Sequence, residues 1–287
     1  MSKSNLKIWL PNIILAFVFI IGLCIFLYPF ASDFINTIIQ NKEVSKYASV
    51  ISELSTEQYD KLIADAKEYN KQLIGNNLFV NSQNIEKSNY KNILSIDSSG
   101  VIGYLKINKI NVKIPIYHGT DLSTLQNGIG HLEGSSFPIA SETEHAVLTG
   151  HTGLPSSKLL TDLVELQIGD TFNVIILNKI FTYEIDQILV VEPNDTDNLE
   201  IEEGKQYCTL LTCTPYGVNS HRLLVRGHYI ENIISTDIVS EAKVVDSNIM
   251  IIIISIPLII IIFIIMIALR NKRRVKDLKD EEIKNIK

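Results

Sequence analysis

Cysteine is scarce in this chain, with three residues in 287. Three thiols cannot build a disulfide framework, and no Cys-x-x-Cys pair offers a zinc knuckle. Glycine and proline are also few, at 14 and 8, which excludes collagen-like and proline-rich linker classes. A basic excess is missing: the net charge is −6, so a strongly basic nucleic-acid binder is excluded. There is no internal repeat and no glycine-rich phosphate loop. What is abundant is apolar sequence. Apolar residues make up 46% and the mean hydropathy is +0.18, high for a soluble protein. The length allows one or two domains.

Two long runs lack charge. The first lies between Lys7 and Asp33, with Ile13 to Phe30 nearly all apolar; the second lies between Asp246 and Arg270. Each meets the ~20 residues that a helix needs to cross a ~30 Å hydrocarbon core. Lys3 and Lys7 precede the first run, and Arg270, Lys272, Arg273, Arg274 and Lys276 follow the second. The positive-inside rule places both ends in the cytoplasm and the middle outside. That middle, 31–248, carries 16 basic against 28 acidic residues, a net charge of −12. A cleaved signal peptide is the alternative for the first run. Its apolar stretch is long for one, and Phe30-Ala31-Ser32 is a poor cleavage site, so an uncleaved anchor is favoured.

Residues 33–76 read as helical. Ser55-Thr56-Glu57-Gln58 is a capping box, and Tyr59, Leu62, Ile63, Ala66, Tyr69 and Leu73 recur on one face. Gly75-Asn76-Asn77 ends that helix, and 77–98 is polar and reads as a loop or linker. After Gly100 short apolar runs predict strands near 101–107, 112–117, 145–149, 171–177, 181–191, 206–213 and 222–230. A helical stretch is expected where Leu159, Leu160, Leu163 and Leu166 follow Pro155. Many short strands separated by turns predict a closed or nearly closed β-barrel. The resulting expectation is a stub and anchor (1–32), a helical segment and linker (33–98), a mainly β catalytic barrel (99–232), a linker (233–248), a transmembrane helix (249–269) and a basic tail (270–287).

Cys213 ends an alternating run that starts at Cys208, and Arg222 opens the next strand after a turn-rich stretch. In an antiparallel hairpin these two residues face each other at the barrel rim. A nearby cation lowers a thiol pKa, and a guanidinium fork holds an oxyanion. Free cysteines are more often small buried hydrophobes. Cys24 lies in the first apolar run and reads as packing; Cys208 reads as core, since 208 and 213 point to opposite faces. A nucleophilic thiol also needs a base. His151 stands between two glycines at a strand end, His221 adjoins Arg222, and His131 sits in Gly130-His131-Leu132. Spacing does not choose among them, and His118, His145 and His228 read as structural. A Cys208/Cys213/His221/His228 zinc set misses the finger spacing, and a phosphatase-type loop lacks the close Cys–Arg spacing it needs.

Thr209-Leu210-Leu211-Thr212-Cys213-Thr214-Pro215-Tyr216-Gly217 followed by Ser220-His221-Arg222-Leu223-Leu224-Val225-Arg226-Gly227 resembles the active-site signature of sortases. Leu148 to Ser156 is similar to that family's histidine segment. Ile116 to Thr120 and Gly128 to Ser136 are similar to segments of class C, the pilin-polymerising sortases, as is the apolar run with a basic tail at the C-terminus. The likeness covers roughly residues 45–232. It implies a sortase β-barrel with N-terminal helices and two flanking transmembrane helices, and a transpeptidase with Cys213 as nucleophile, His151 as general acid/base and Arg222 as oxyanion support. It implies an LPxTG-like (Leu-Pro-x-Thr-Gly) sorting signal cleaved between Thr and Gly, and an amine acceptor, a pilin lysine in class C. No metal and no cofactor are implied, and the protein belongs to the cell membrane with its catalytic part outside. A housekeeping enzyme using a cell-wall precursor amine is the alternative, and a non-enzymatic tethered module is the third reading.

Class C enzymes usually carry a lid with Asp-Pro and an aromatic residue. This chain has Asn77-Leu78-Phe79-Val80 in that region and no Asp-Pro, so either the lid is modified, with Phe79 filling the cleft, or it is absent; a modified lid is the expectation.

Overall fold

The computed structural model describes residues 3–75 and 90–231, together with six positions between 259 and 270. The expected lid residue Phe79, the linker 233–248, most of the second apolar run and the basic tail after Arg270 lie outside the described residues. The chain divides into two units, one of residues 1–25 with 235–287 and one of 26–234. In the first unit the rings of Phe19 and Phe263 stack with centroids 3.9 Å apart, and Ile259, Ile260, Phe263, Met266, Ile267 and Arg270 are helical.

The second unit is built on a closed barrel. Its strands are β1 (Val101–Ile107), β2 (Val112–His118), β3 (Ile129–His131), β4 (Glu144–Thr149), β5 (Thr171–Ile176), β6 (Lys179–Val191), β7 (Gln206–Thr214) and β8 (His221–Ile230). They close in the order β1-β2-β3-β4-β7-β8-β6-β5. Two pairings, β2 with β3 and β4 with β7, are parallel; the others are antiparallel. A parallel pair needs a crossover, and a short helix α3 (Leu122–Asn127) serves β2 and β3. Inward residues such as Leu105, Ile116, Phe172, Val174, Leu210 and Val225 fill the interior at 0% exposure.

Two helices precede the barrel, α1 (Lys3–Ser52) and α2 (Thr56–Leu73). Among the described residues, α1 is long and apolar enough to cross a membrane. The helical reading of 33–76 resolves into two helices that part at the expected Ser55 capping box. Glu53 and Leu54 close three-residue turns onto Val50 and Ile51, and Ser55 then caps α2 with a reciprocal bond to Gln58. Val44, Tyr47 and Ile51 are buried on α1, and Ala66, Tyr69 and Leu73 on α2. The Tyr47 hydroxyl donates to the Ile102 carbonyl at 2.6 Å and accepts from Leu177 N–H at 3.0 Å. One side chain therefore ties α1 to β1 and to the turn after β5.

One strand had not been expected, and two further expectations are corrected. β3 has only three residues, too few for an alternating pattern to show. The stretch after Pro155 is a loop followed by one 3₁₀ turn at Thr161–Glu165, because Leu159, with φ at +41°, breaks the helical path. The end of the supposed linker is core: Tyr90 and Leu94 are 2% and 0% exposed. The Tyr90 hydroxyl accepts from Gly119 N–H at 3.0 Å and reaches His131 Nδ1 at 2.9 Å.

Candidate active site

The β7–β8 hairpin positions the first two site residues. Its register pairs Cys213 with Arg222 and Thr214 with His221. Opposed residues in an antiparallel pair hold their Cβ atoms ~5 Å apart. Alternation puts Leu211 and Leu224 on the same face as Cys213 and Arg222. The turn between the strands is closed by Val218 N–H and Asn219 N–H donating to the Pro215 carbonyl at 3.1 and 2.9 Å. Arg222 Nη1 donates to the carbonyls of Asn219 and His221 at 3.3 and 3.1 Å, so the guanidinium rests on its own turn. Its other N–H groups make no hydrogen bond among the described residues.

Cys208 lies in the barrel core at 0% exposure, and burial pushes its thiol pKa well up. Cys213 is half-buried on the other face, ~16 Å along the strand. The two sulfurs therefore do not join His221 and His228 around one ion. No group of three or more His, Cys, Asp or Glu gathers into a metal site among the described residues.

β4 brings the histidine. It runs parallel to β7, with Thr149 opposite Leu211, and Gly150 N–H continues the ladder by donating to the Leu211 carbonyl at 3.1 Å. His151 follows directly, at the same end of the barrel as Cys213 at the end of β7. The Thr212 hydroxyl, 1% exposed, donates to the Gly150 carbonyl at 2.8 Å and lies 2.9 Å from the Thr152 hydroxyl. It therefore holds the backbone before His151 and meets the side chain of the residue after it. Leu160 N–H donates to the His151 carbonyl at 3.3 Å and folds the loop back. A Cβ at Gly150 would meet Leu160 Cδ1 at 3.0 Å. Gly153, with φ at +74°, lies under the Tyr216 ring of the β7–β8 turn, where a Cβ would come within 3.2 Å. The glycines beside His151 thus permit two close approaches, one from the core and one from the turn that follows Cys213.

The other histidines are engaged elsewhere. His131 is fully buried; Nε2–H donates to the Ser136 carbonyl at 2.9 Å, which leaves Nδ1 to accept from Tyr90. Burial lowers its pKa to about 3, so it stays neutral. His145 donates from Nδ1 to the Glu200 carbonyl and accepts at Nε2 from the Thr209 hydroxyl, both at 2.8 Å. Burial lowers it to about 4. His118 is also lowered by burial, and its Nε2 lies 2.7 Å from the Ile93 carbonyl. His221 pairs with Glu192 at 3.3 Å and, by alternation, faces away from Cys213. His228 lies beside Asp186, ~20 Å along β8 from Arg222. Among the described residues, the His151 loop adjoins the Cys213 end of the thiol strand, whereas His221 faces the other side of β8 and His228 lies toward its far end.

Beside the thiol and guanidinium lies an apolar floor. Val147, Leu199 and Leu224 form a buried cluster with Leu132, Leu189, Val191 and Leu211 around it. On β6, Val191 pairs with Arg222 and Leu189 with Leu224, so this floor runs up to the Cys213–Arg222 pair. Sequence reasoning missed Thr212 and Thr152, whose link crosses 60 residues, and Glu144, buried with Tyr183. Thr152 directly follows His151 and Thr212 directly precedes Cys213, which was the available signal for the threonine link.

The Sortase domain model matches residues 105–230. Sortase D of Bacillus subtilis (strain 168) is 34% identical over 114 residues, which covers 40% of this chain and 54% of that protein. The chain thus spans about half the length of this curated relative. The crystal structure of sortase C1 from Streptococcus agalactiae is 48% identical with a TM-score of 0.63, covering 67% of this chain and 99% of that one. Sortase C of Clostridium perfringens, solved with the C-terminal cell wall sorting motif, is 40% identical with a TM-score of 0.59, covering 66% and 98%. The chain belongs to the sortase family, whose members are cysteine transpeptidases, and its structural neighbours are class C sortases.

Proposed function

We propose that this protein is a membrane-anchored transpeptidase of the pilin-polymerising class, with Cys213, His151 and Arg222 as its catalytic residues. The observation that carries the reading is the register that sets Cys213 opposite Arg222, with the His151 loop on the strand alongside. The Cys213 thiolate attacks the Thr carbonyl of an LPxTG-like signal, and the carbonyl oxygen becomes an oxyanion held by the Arg222 fork. The Thr–Gly carbon–nitrogen bond breaks, and protonated His151 gives its proton to the departing amine. The acyl group is now a thioester on Cys213. An incoming amine attacks it, passes its proton to His151, and releases the thiolate with a new amide bond. With a pilin lysine as the amine, the product is an isopeptide link between pilins.

The apolar floor of Leu189, Val191, Leu211 and Leu224 suits the apolar residues of such a signal. The sorting motif in the Clostridium perfringens neighbour supports the same substrate class. The basic flanks support anchors at 1–32 and 249–269 with both termini cytoplasmic, around an external helical segment at 33–98 and a catalytic barrel at 99–232.

The test uses the full chain in lipid nanodiscs, incubated with a sorting-signal peptide and a purified candidate pilin. A thioester at Cys213 and a pilin–pilin isopeptide bond, both read by mass spectrometry, are expected. Both are lost in Cys213→Ala and His151→Ala. A product formed only with a cell-wall precursor amine would move the protein to the housekeeping role. No thioester, with Cys213 inert to small alkylating reagents, would make it a tethered module without chemistry.

A further inference from the structure

The loop that carries His151 is held from a side that the sequence did not indicate. After Gly153 the chain runs over the C-terminal half of α1 and is bonded to it twice. Asp33 Oδ1 accepts the backbone N–H of Lys158 at 2.7 Å, and Asn36 Nδ2 donates to the Ser156 carbonyl at 2.6 Å. These contacts span 125 and 120 residues of sequence. Asp33 and Asn36 are three residues apart, so they share a helix face. That face continues through Gln40, which donates to the Asn127 carbonyl at 3.3 Å, and then through buried Val44, Tyr47 and Ile51. The polar end of one stripe grips the histidine loop, and its apolar end is packed into the barrel.

The rest of the loop is held less firmly. Ser157 N–H reaches the Leu154 carbonyl at 3.4 Å, a long turn bond, while Gly153 N–H donates to Thr161 Oγ1 at 3.1 Å. Thr212 and Leu160 fix the near limb beside His151. Asp33 and Asn36 fix the far limb, five to seven residues on. A bond from a backbone amide to a carboxylate is among the stronger hydrogen bonds in a protein.

We propose that Asp33 and Asn36 are positioning residues for the transpeptidase reaction: through Lys158 and Ser156 they set the path of the loop and with it the place of the His151 imidazole beside Cys213. The inference rests on the proposed roles of Cys213 and His151. It makes α1 part of the catalytic apparatus as well as a tether. Its function is indirect, since neither residue touches the reacting atoms.

The experiment compares the full chain in nanodiscs with an Asp33→Ala/Asn36→Ala double variant and with Asp33→Asn, which keeps an oxygen acceptor. Hydrogen exchange at residues 154–160, the rate and KM of thioester formation, and its pH profile are measured. Expected in the double variant are faster exchange at the Lys158 amide, a roughly tenfold fall in the acylation rate with KM within twofold, and a displaced pH profile. Asp33→Asn restores protection and most of the rate. Faster exchange with an unchanged rate and pH profile overturns the proposal, because the clamp would then be structural only. So does unchanged exchange, or a change confined to KM. If the double variant loses the barrel's near-ultraviolet signal, Asn36→Asp, which removes only the donor, is read by the same criteria. A parent protein that forms no thioester at all would instead strike down the transpeptidase reading, and this inference with it.

Discussion

Thr212 donates its hydroxyl proton to the carbonyl oxygen of Gly150 at 2.8 Å, linking the residue before Cys213 to the residue before His151. The contact is buried, so its loss leaves a carbonyl without its partner. Thr212→Val keeps the branched shape and removes the donor. It is expected to cost about 1–3 kcal/mol of stability. It should also slow thioester formation several-fold, whereas Thr212→Ser keeps both. Thermal unfolding and single-turnover acylation are the measurements; unchanged acylation in the valine variant would remove the link from the mechanism.

Arg222 reaches the site as a planar fork, and a lysine supplies a point charge in its place. Arg222→Lys is expected to lower the acylation rate on the order of 100-fold, the scale of one lost oxyanion donor. Binding of a non-cleavable signal peptide should change little. Acylation within threefold of the parent would take Arg222 out of the oxyanion role.

The buried ionisable groups predict an optimum of stability in pH. Glu144 is 0% exposed and accepts from Ala140 N–H, Ser141 N–H and the Tyr183 hydroxyl at 3.1, 2.7 and 3.0 Å. Burial outweighs these bonds and raises its pKa to about 7 from 4.5. The fold thus holds a proton that the unfolded chain releases, a contribution complete below pH 4.5 and lost as pH rises through 7. His131 and His145 act oppositely. Their pKa values lie at about 3 and 4, below 6.5, so their contribution is present above 6.5 and lost as pH falls toward those values. Between 4.5 and 6.5 the unfolded chain binds two protons at these sites against one in the fold. Stability should then rise with pH by ~1.4 kcal/mol per unit, peak near about 6.5, and fall beyond it. Urea unfolding across pH 5 to 8 checks the shape. In Glu144→Gln the descending limb should vanish, whatever that variant's absolute stability; a retained limb would assign it to another group.

Tyr90 ties three neighbours together, two through its hydroxyl and one through its ring. It accepts from Gly119 N–H, bonds His131 Nδ1, and lies in a stack with Phe137, whose ring is 4.4 Å from that of His131. Tyr90→Phe preserves the ring packing and deletes the hydroxyl. A loss of about 1–3 kcal/mol is expected, with thioester formation at Cys213 unaffected at temperatures where the protein is folded.

The parts of the fold that were legible in sequence are those with local signals. The β7–β8 hairpin could be read because an alternating run, a proline-containing turn and a second run lie within 25 residues, and the Cys213–Arg222 register followed from it. The Ser55 capping box was visible because both partners lie within four residues. Opposite faces for Cys208 and Cys213 followed from the period of a strand. The choice of His151 came from family likeness, since three histidines had equal claims by spacing. Other features had no local mark. β3 is too short for a pattern, and the burial of Glu144 depends on Tyr183, 39 residues away. Asp33 and Asn36 look like ordinary polar positions on a helix until their partners at 158 and 156 are seen. Phe79 and the modified lid lie outside the described residues.

The parallel union of β4 with β7 sets an order of events on the chain. The segment bearing the imidazole is made first, and its partner strand lies 62 residues later. A chain that stops before β7 therefore carries His151 without Cys213. In the closed barrel β7 lies between β4 and β8. Residues 151 and 213 are thus brought to one end of the barrel by tertiary pairing and not by nearness in sequence.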